Sequence, residues 1–295
     1  MKRFYIILTS FLLMILGGSV FAQTDNMTLA ETTRQITKNC NSDYEKAYAI
    51  YNWVTDNITY DEDLAVEMLT NPLEEDVMDI DDNVLLTALD VILNPNKYKW
   101  EKFRRMIRKI INNNPQAVRR IQETKAFNDK QLKSGMDVFN NRLGICSSIA
   151  HLYQLMCEQA GIPCRIVTGV AKIELDEELS FYGDNFYGGH AWNCIFADGH
   201  EILVDATWGL LGEDAFDVDP EEMIFNHLPF KSVDQLISTP VNKEQFVMLP
   251  YEMPDRCISM GFQKYVKSLG RIKPDDINNL FVIQIDLMFE MYSKK

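Results

Sequence analysis

The sequence predicts an α+β fold, and three observations predict it. A helix-period apolar stripe follows Cys146, residues 165–171 read as a strand, and a two-strand hairpin turns at Asp198-Gly199. At 295 residues and 46% hydrophobic content, the chain can bury a sizeable core.

The helix comes first. Asn141-Arg142-Leu143-Gly144 is a turn-like lead without a periodic pattern. Ile149, Leu152, Tyr153, Met156 and Ala160 then recur along one helical face. Gly161 stops the helix, and Pro163 follows. Cys146 therefore occupies the first turn, where unpaired backbone N–H groups and the positive end of the helix dipole gather. Both favour a thiolate over a thiol, and the same N–H groups can hold an oxyanion. Gly144 is read as a tight turn that also lets a substrate approach the sulfur.

The hairpin allows its register to be worked out. Residues 190–197 form one strand and 200–205 the return strand. With Asp198 and Gly199 at the turn, Ala197 faces His200, Trp192 faces Asp205 and His190 faces Thr207. His190 and Asp205 are then diagonal neighbours on one face, roughly 7–8 Å apart at the backbone. A one-residue slip would separate them onto opposite faces.

Taken singly, each residue has a bland explanation. A cysteine before a helix is usually a small buried apolar group, a strand histidine is usually structural, and an aspartate ending a strand is usually a cap. The joint pattern points to nucleophilic catalysis. Cys146 is the candidate nucleophile, His190 the base, and Asp205 the group that orients the imidazole.

Three blocks carry a family resemblance: Gly144-Ile145-Cys146-Ser147-Ser148-Ile149-Ala150, Gly189-His190-Ala191-Trp192-Asn193 and Val204-Asp205-Ala206-Thr207-Trp208-Gly209. They resemble the signature blocks of the transglutaminase-like superfamily, closest to the bacterial branch related to the kyphoscoliosis peptidase. Residues 49–61, the segment Asp219-Pro220-Glu221-Glu222-Met223-Ile224 and His227-Leu228-Pro229 agree with the flanking segments of that family. The resemblance covers most of residues 40–250. It implies a papain-like core with the cysteine helix packed on an antiparallel sheet. It also implies Cys146 as nucleophile, His190 as general base and then acid, and Asp205 as the orienting residue. Members cross-link or deamidate glutamine, cleave peptide bonds, hydrolyse other amides, or are inactive. The implied partner is a protein or peptide substrate. Cross-linking members use an aromatic side chain to shape the cleft; Trp192 and Trp208 are the nearest matches here.

The remaining segments frame this centre. Residues 1–22 read as a secretory signal, with Lys2 and Arg3 before a short apolar run and a cut before Gln23. Removing them takes the formal charge from −14 to −16. A chain so acidic is a poor nucleic-acid binder. After the leader no segment is apolar enough to span a bilayer, so an exported periplasmic or extracellular protein is expected.

The transglutaminase-like domain is expected over residues 23–250. Residues 24–60 are helical in pattern, with Asp43 as a cap, Tyr44, Ala47, Tyr48, Tyr51 and Val54 near one face, and Trp53 and Tyr60 as packing residues. Residues 61–133 read as a helical insertion with an acidic first part and a basic second part. Residues 174–187 read as an acidic loop at the cleft rim, where Asp176, Glu177 and Glu178 would face a basic substrate. Residues 210–250 read as mostly loop, with a short helix near 233–237. Residues 251–295 read as a helical extension packed on the core, including a helix from Pro274.

Six cysteines, Cys40, Cys146, Cys157, Cys164, Cys194 and Cys257, match no zinc motif and read chiefly as buried thiols, with a disulfide left open. No metal or organic cofactor is implied, and calcium-loop spacing is absent. The expected function is an exported cysteine-dependent amide-bond enzyme, protease or acyl transferase, working through a thioester. Ready access to water favours hydrolysis. The alternative is a non-enzymatic binding or cell-envelope scaffold, against which an intact triad argues.

Overall fold

The computed structural model describes residues 27–65, 134–174 and 185–269. The leader at 1–22, nearly all of the 61–133 insertion, the acidic residues 176–178 and the helix from Pro274 lie outside the described residues.

Two capped helices open the fold. Helix α1 (Leu29–Thr37) starts at a capping box in which Thr28 and Glu31 satisfy each other's backbone N–H groups. Helix α2 (Asp43–Asn57) is capped by Ser42 and not by Asp43. Ser42 has the extended backbone of a cap, and its hydroxyl accepts from the Glu45 N–H; Asp43 is already helical. Asp198, in the distant hairpin turn, accepts from the N–H groups of Asp43 and Tyr44 and completes the cap. Ala47, Ile50, Tyr51 and Val54 are buried. Tyr48, expected on that face, is 47% exposed and packs across Tyr51 and Phe216.

Strand β1 (Thr59–Tyr60), helix α3 (Gly135–Asn141) and strand β2 (Leu143–Gly144) lead to the cysteine. Arg142 ends α3 in the left-handed conformation, and its guanidinium lies over the Trp53 and Phe139 rings. Parallel pairing sets Thr59 against Leu143 and Tyr60 against Gly144. Helix α4 (Cys146–Gln159) then buries Ile149, Leu152, Tyr153 and Met156, the stripe read from sequence. The Tyr153 hydroxyl donates to the Ala47 carbonyl, tying α4 to α2.

The main sheet has the order β5-β4-β3-β6 and is antiparallel throughout. Its strands are β3 (Cys164–Glu174), β4 (Asn185–Ala197), β5 (His200–Val204) and β6 (His227–Pro229). Asp198 and Gly199 both have positive φ, as an Asp-Gly type I′ turn requires. That turn sets Ala197 against His200 and Asn193 against Val204, the register worked out from the sequence. Part of the expected loop at 174–187 is strand instead: the backbone ladder continues to Glu174 and resumes at Asn185. Acidic residues there masked a pattern that also sets Ile173 opposite Phe186.

Residues after β5 are more ordered than a loop reading allows. They form α5 (Ala206–Leu210), α6 (Pro220–Met223), β6, a 3₁₀ turn (Ser232–Gln235) and α7 (Lys243–Met248). The turn ends earlier than expected because Leu236 adopts the left-handed conformation. Helices α8 (Asp255–Met260) and α9 (Phe262–Leu269) follow. Phe262, Tyr265 and Val266 join Val170, Phe225, Leu228 and Phe246 in one apolar cluster. A second cluster joins α2 and α4 to Ile195, Ile202 and Val204. The amide of Asn193 pins α4 to β4 by donating to the Ala150 carbonyl.

Lys172 is a charged side chain inside this core. It is 0% exposed; its ammonium donates to the Leu249 carbonyl at 2.6 Å and lies over the Phe246 ring. Burial pushes its pKa down from 10.5 to about 7. Between those values the unfolded chain binds more protons than the folded one, so this group adds stability as pH rises. Urea unfolding of wild type and Lys172→Met from pH 7 to 10 checks this. Relative to the variant, the wild type gains on the order of 3 kcal/mol across the window. Parallel stability curves would contradict it.

Candidate active site

The site is assembled around Asp205, which follows β5 and caps α5. Its Oδ1 accepts from the backbone N–H groups of Thr207 at 2.9 Å and Trp208 at 3.1 Å. This is ordinary N-cap geometry for an aspartate. Its Oδ2 faces the Nε2 of His190 at 2.5 Å and the Nε2 of His227 at 3.0 Å. The carboxylate is only 1% exposed. Burial alone would raise its pKa, but the charge and hydrogen bond of His190 and the hydrogen bond of His227 hold it well below the usual carboxylate range.

His190 lies on β4 opposite Gly169. With Nε2 turned to Asp205, its Nδ1 is the nitrogen left for Cys146, whose sulfur is its other hydrogen-bond partner. Burial opposes the charged ring, yet the Asp205 charge and hydrogen bond, with the Cys146 contributions, raise its pKa to about 10. Cys146 is half-buried and a free thiol at the start of α4. The structure thus brings together Cys146, His190 and Asp205, the three residues singled out from sequence. All six cysteines are free thiols.

Two glycines shape the approach. A Cβ at Gly144 would meet Val138 at 2.6 Å and the Ser148 hydroxyl at 2.8 Å. Close packing against Val138 and Ser148 therefore requires a glycine here. A Cβ at Gly169 would lie 2.3 Å from the Leu228 carbonyl and 2.6 Å from the Trp192 ring. Its absence lets β6 and Trp192 close around His190.

Sequence reading missed two residues at this centre. His227 stands in the sequence only as part of a flanking segment, yet β6 pairs with β3 and delivers it to Asp205. Tyr60, expected as a packing residue, does pack against the core, and it also reaches this centre. Its pairing with Gly144 brings it beside the cysteine turn, and burial, then the charges of Cys146 and Asp205, raise its hydroxyl pKa and keep it a proton donor. A Tyr-Asp pair just after a long helix was the available signal, but its meaning depends on a pairing across more than eighty residues. Trp208, a suggested cleft aromatic, packs 4.1 Å from His227 and stacks on Tyr251. Trp192 is fully buried, stacked against His190. The ligand atoms of His190, Asp205 and His227 lie within 4.8 Å of one another, a spacing that the hydrogen bonds account for.

Chemically, a thiol at a helix N-terminus beside a carboxylate-anchored imidazole suits attack on a carbonyl carbon. Comparison with known proteins gives the family. The family model for the transglutaminase-like superfamily matches residues 30–80 and 92–206, more than half of the chain. The chain belongs to the transglutaminase-like superfamily, whose members include cysteine peptidases and acyltransferases. Kyphoscoliosis peptidase from Homo sapiens is 30% identical over 132 residues, which cover 40% of this chain and 20% of that protein; the Mus musculus protein matches equally. Lim and transglutaminase domain protein ltd-1 from Caenorhabditis elegans is 23% identical over 122 residues, covering 34% of this chain and 17% of its own. The match therefore spans about a fifth of the length of these curated relatives. A solved structure described as a crystal structure of a TGase overlaps 70% of this chain and 38% of its own, at 15% identity and a TM-score of 0.29. The family assignment rests on the family-model match. Among the described residues, no helix is long and apolar enough to cross a membrane.

The electrostatics lead to a direct prediction. A histidine whose folded pKa lies above its unfolded value stabilises the fold fully below about pH 6.5, and that contribution is lost as pH rises towards 10. A ¹⁵N NMR titration should find the His190 ring charged at pH 8 in the wild type. In Asp205→Asn its midpoint should fall by two or more pH units. An unchanged midpoint would break the proposed linkage between the two groups.

Proposed function

We propose that this chain is an exported cysteine-dependent amide-bond enzyme acting on a protein or peptide. Cys146 is its nucleophile, His190 its acid–base group and Asp205 its orienting residue. One observation carries this reading: Asp205 holds His190 by Nε2, leaving Nδ1 to the Cys146 sulfur at a helix start. Export rests on the leader-like residues 1–22.

The reaction follows from these positions. His190 takes the Cys146 proton at Nδ1, or already holds it in a thiolate–imidazolium pair, and the sulfur attacks the amide carbonyl carbon. The carbonyl π electrons move to oxygen, where the Cys146 backbone N–H donates, and Tyr60, protonated and paired beside the cysteine turn, is the proposed second donor. As the tetrahedral intermediate collapses, the C–N bond breaks and His190 returns its proton to the leaving amine. A thioester remains on Cys146. Water, deprotonated by His190, attacks it to give an acid; a lysine amine would give a new amide. Water is present wherever the protein is exported, which favours hydrolysis.

Intact-mass measurement with unfolded casein and glutamine-containing peptides tests the reading, with and without an added primary amine. A transient acyl adduct on Cys146 and release of product are expected. Cys146→Ala abolishes both, and His190→Ala slows turnover by roughly 10²–10⁴-fold. Tyr60→Phe lowers kcat by roughly 10²-fold with little change in KM, as expected for loss of an oxyanion donor. Incorporation of the amine identifies acyl transfer; free acid alone identifies hydrolysis. Turnover that survives Cys146→Ala would refute the mechanism.

A further inference from the structure

Resting on that reading, we propose that His227 is a positioning residue: its Nε2–H holds the Asp205 carboxylate in the orientation that directs His190 towards Cys146. The centre is then a Cys-His-Asp-His arrangement in which only the first two residues handle the travelling proton.

Oδ1 of Asp205 is already occupied by two backbone N–H groups of α5. Oδ2 alone faces the imidazoles, and without His227 it would have a single donor, His190. A buried carboxylate short of donors is costly and can rotate to find others. His227 supplies the missing hydrogen bond from the far side of the site.

The protonation state of His227 follows from its neighbours. Asp205 and His190 are the titratable groups that face it. Lys172, on the adjoining strand, turns its ammonium away to the Leu249 carbonyl. Burial and the nearby His190 charge together lower the His227 pKa, against the pull of Asp205. A neutral ring has one N–H, and a carboxylate can only accept, so the proton belongs on Nε2. The Asn226 Oδ1 lies 2.7 Å from Nδ1; with Nδ1 an acceptor, that amide turns over so that its NH₂ group donates there. A neutral donor steadies Asp205 without placing a second cation beside His190.

The ring has little freedom to do otherwise. His227 is 2% exposed and is packed between Trp208 at 4.1 Å and Trp192 at 5.0 Å. Its strand residue pairs with Ala171, and the preceding carbonyl of Asn226 accepts from the Lys172 N–H. An apolar ring would fill this space more cheaply than a buried imidazole. The polar side chain is explained by the bond it donates.

The test is the pH profile of Cys146 alkylation by iodoacetamide, read by peptide mass spectrometry from pH 5 to 9. Wild type, His190→Ala, His227→Gln and His227→Leu are compared. Glutamine can place an N–H near the position of Nε2; leucine cannot. His227→Leu should slow labelling at pH 6 by tenfold or more and move the profile up by about one pH unit. His227→Gln should stay within threefold of wild type with the profile unmoved. A leucine variant equal to wild type, or a glutamine variant as slow as leucine, would overturn the role given to His227. Should His227→Leu fail to fold, ¹⁵N NMR of the wild type decides: the His227 proton must reside on Nε2 from pH 6 to 8, and a proton on Nδ1 overturns the proposal. The proposed function fails separately. It falls if wild-type Cys146 reacts as an ordinary thiol and His190→Ala changes nothing.

Discussion

A single buried carboxylate ties this fold to its candidate chemistry. Asp205 ends one strand of the hairpin, caps the short helix that follows, and receives an imidazole from each of two other strands. Three separate strands therefore meet on one side chain. An ionised carboxylate can be buried only when its oxygens are filled with donors, and here four N–H groups fill them. The cap geometry matters as much as the charge. Because Oδ1 is held by rigid backbone, Oδ2 has a fixed place, and the His190 ring has a fixed partner.

The rest of the architecture serves that arrangement. The Asp-Gly turn sets the register that puts His190 and Asp205 on one face, and its own Asp198 caps helix α2. Helix α2 in turn holds α4 through the Tyr153 hydroxyl, and Asn193 holds α4 to β4. The start of α4 is thus anchored from both sides, with Cys146 at its first residue. On the other side, Lys172 and the Val170 cluster hold the segment that carries β6 and His227. An apolar core supplies the burial, and a small set of buried hydrogen bonds decides which groups face one another.

How much of this was legible in the sequence follows from the range of each interaction. The α4 stripe and the hairpin register are local, and both could be read, because helical period and a two-residue turn leave little choice. The meeting of His190 with Asp205 followed from that register. Asp43 was misread as a cap because two adjacent polar residues, Ser42 and Asp43, compete for the same role. His227 was missed for a different reason: it sits on a three-residue strand whose partner, β3, lies more than fifty residues earlier. Tyr60 depends on a pairing of still longer reach, with Gly144. The purpose of Gly144 was likewise hidden, since Val138 and Ser148 approach it only in the folded chain. Non-local pairings with short strands leave no periodic trace.

The account stands most directly on the ionisation of Asp205. Carbon-13 labelling of its carboxyl group, followed by NMR from pH 7 down to acid unfolding, measures that property at the atom concerned. The account predicts a shift typical of a carboxylate throughout, with no titration step until the fold is lost. A step near pH 4, in a protein still folded, would mean that the two imidazoles do not hold this carboxylate, and the organisation described here would be wrong.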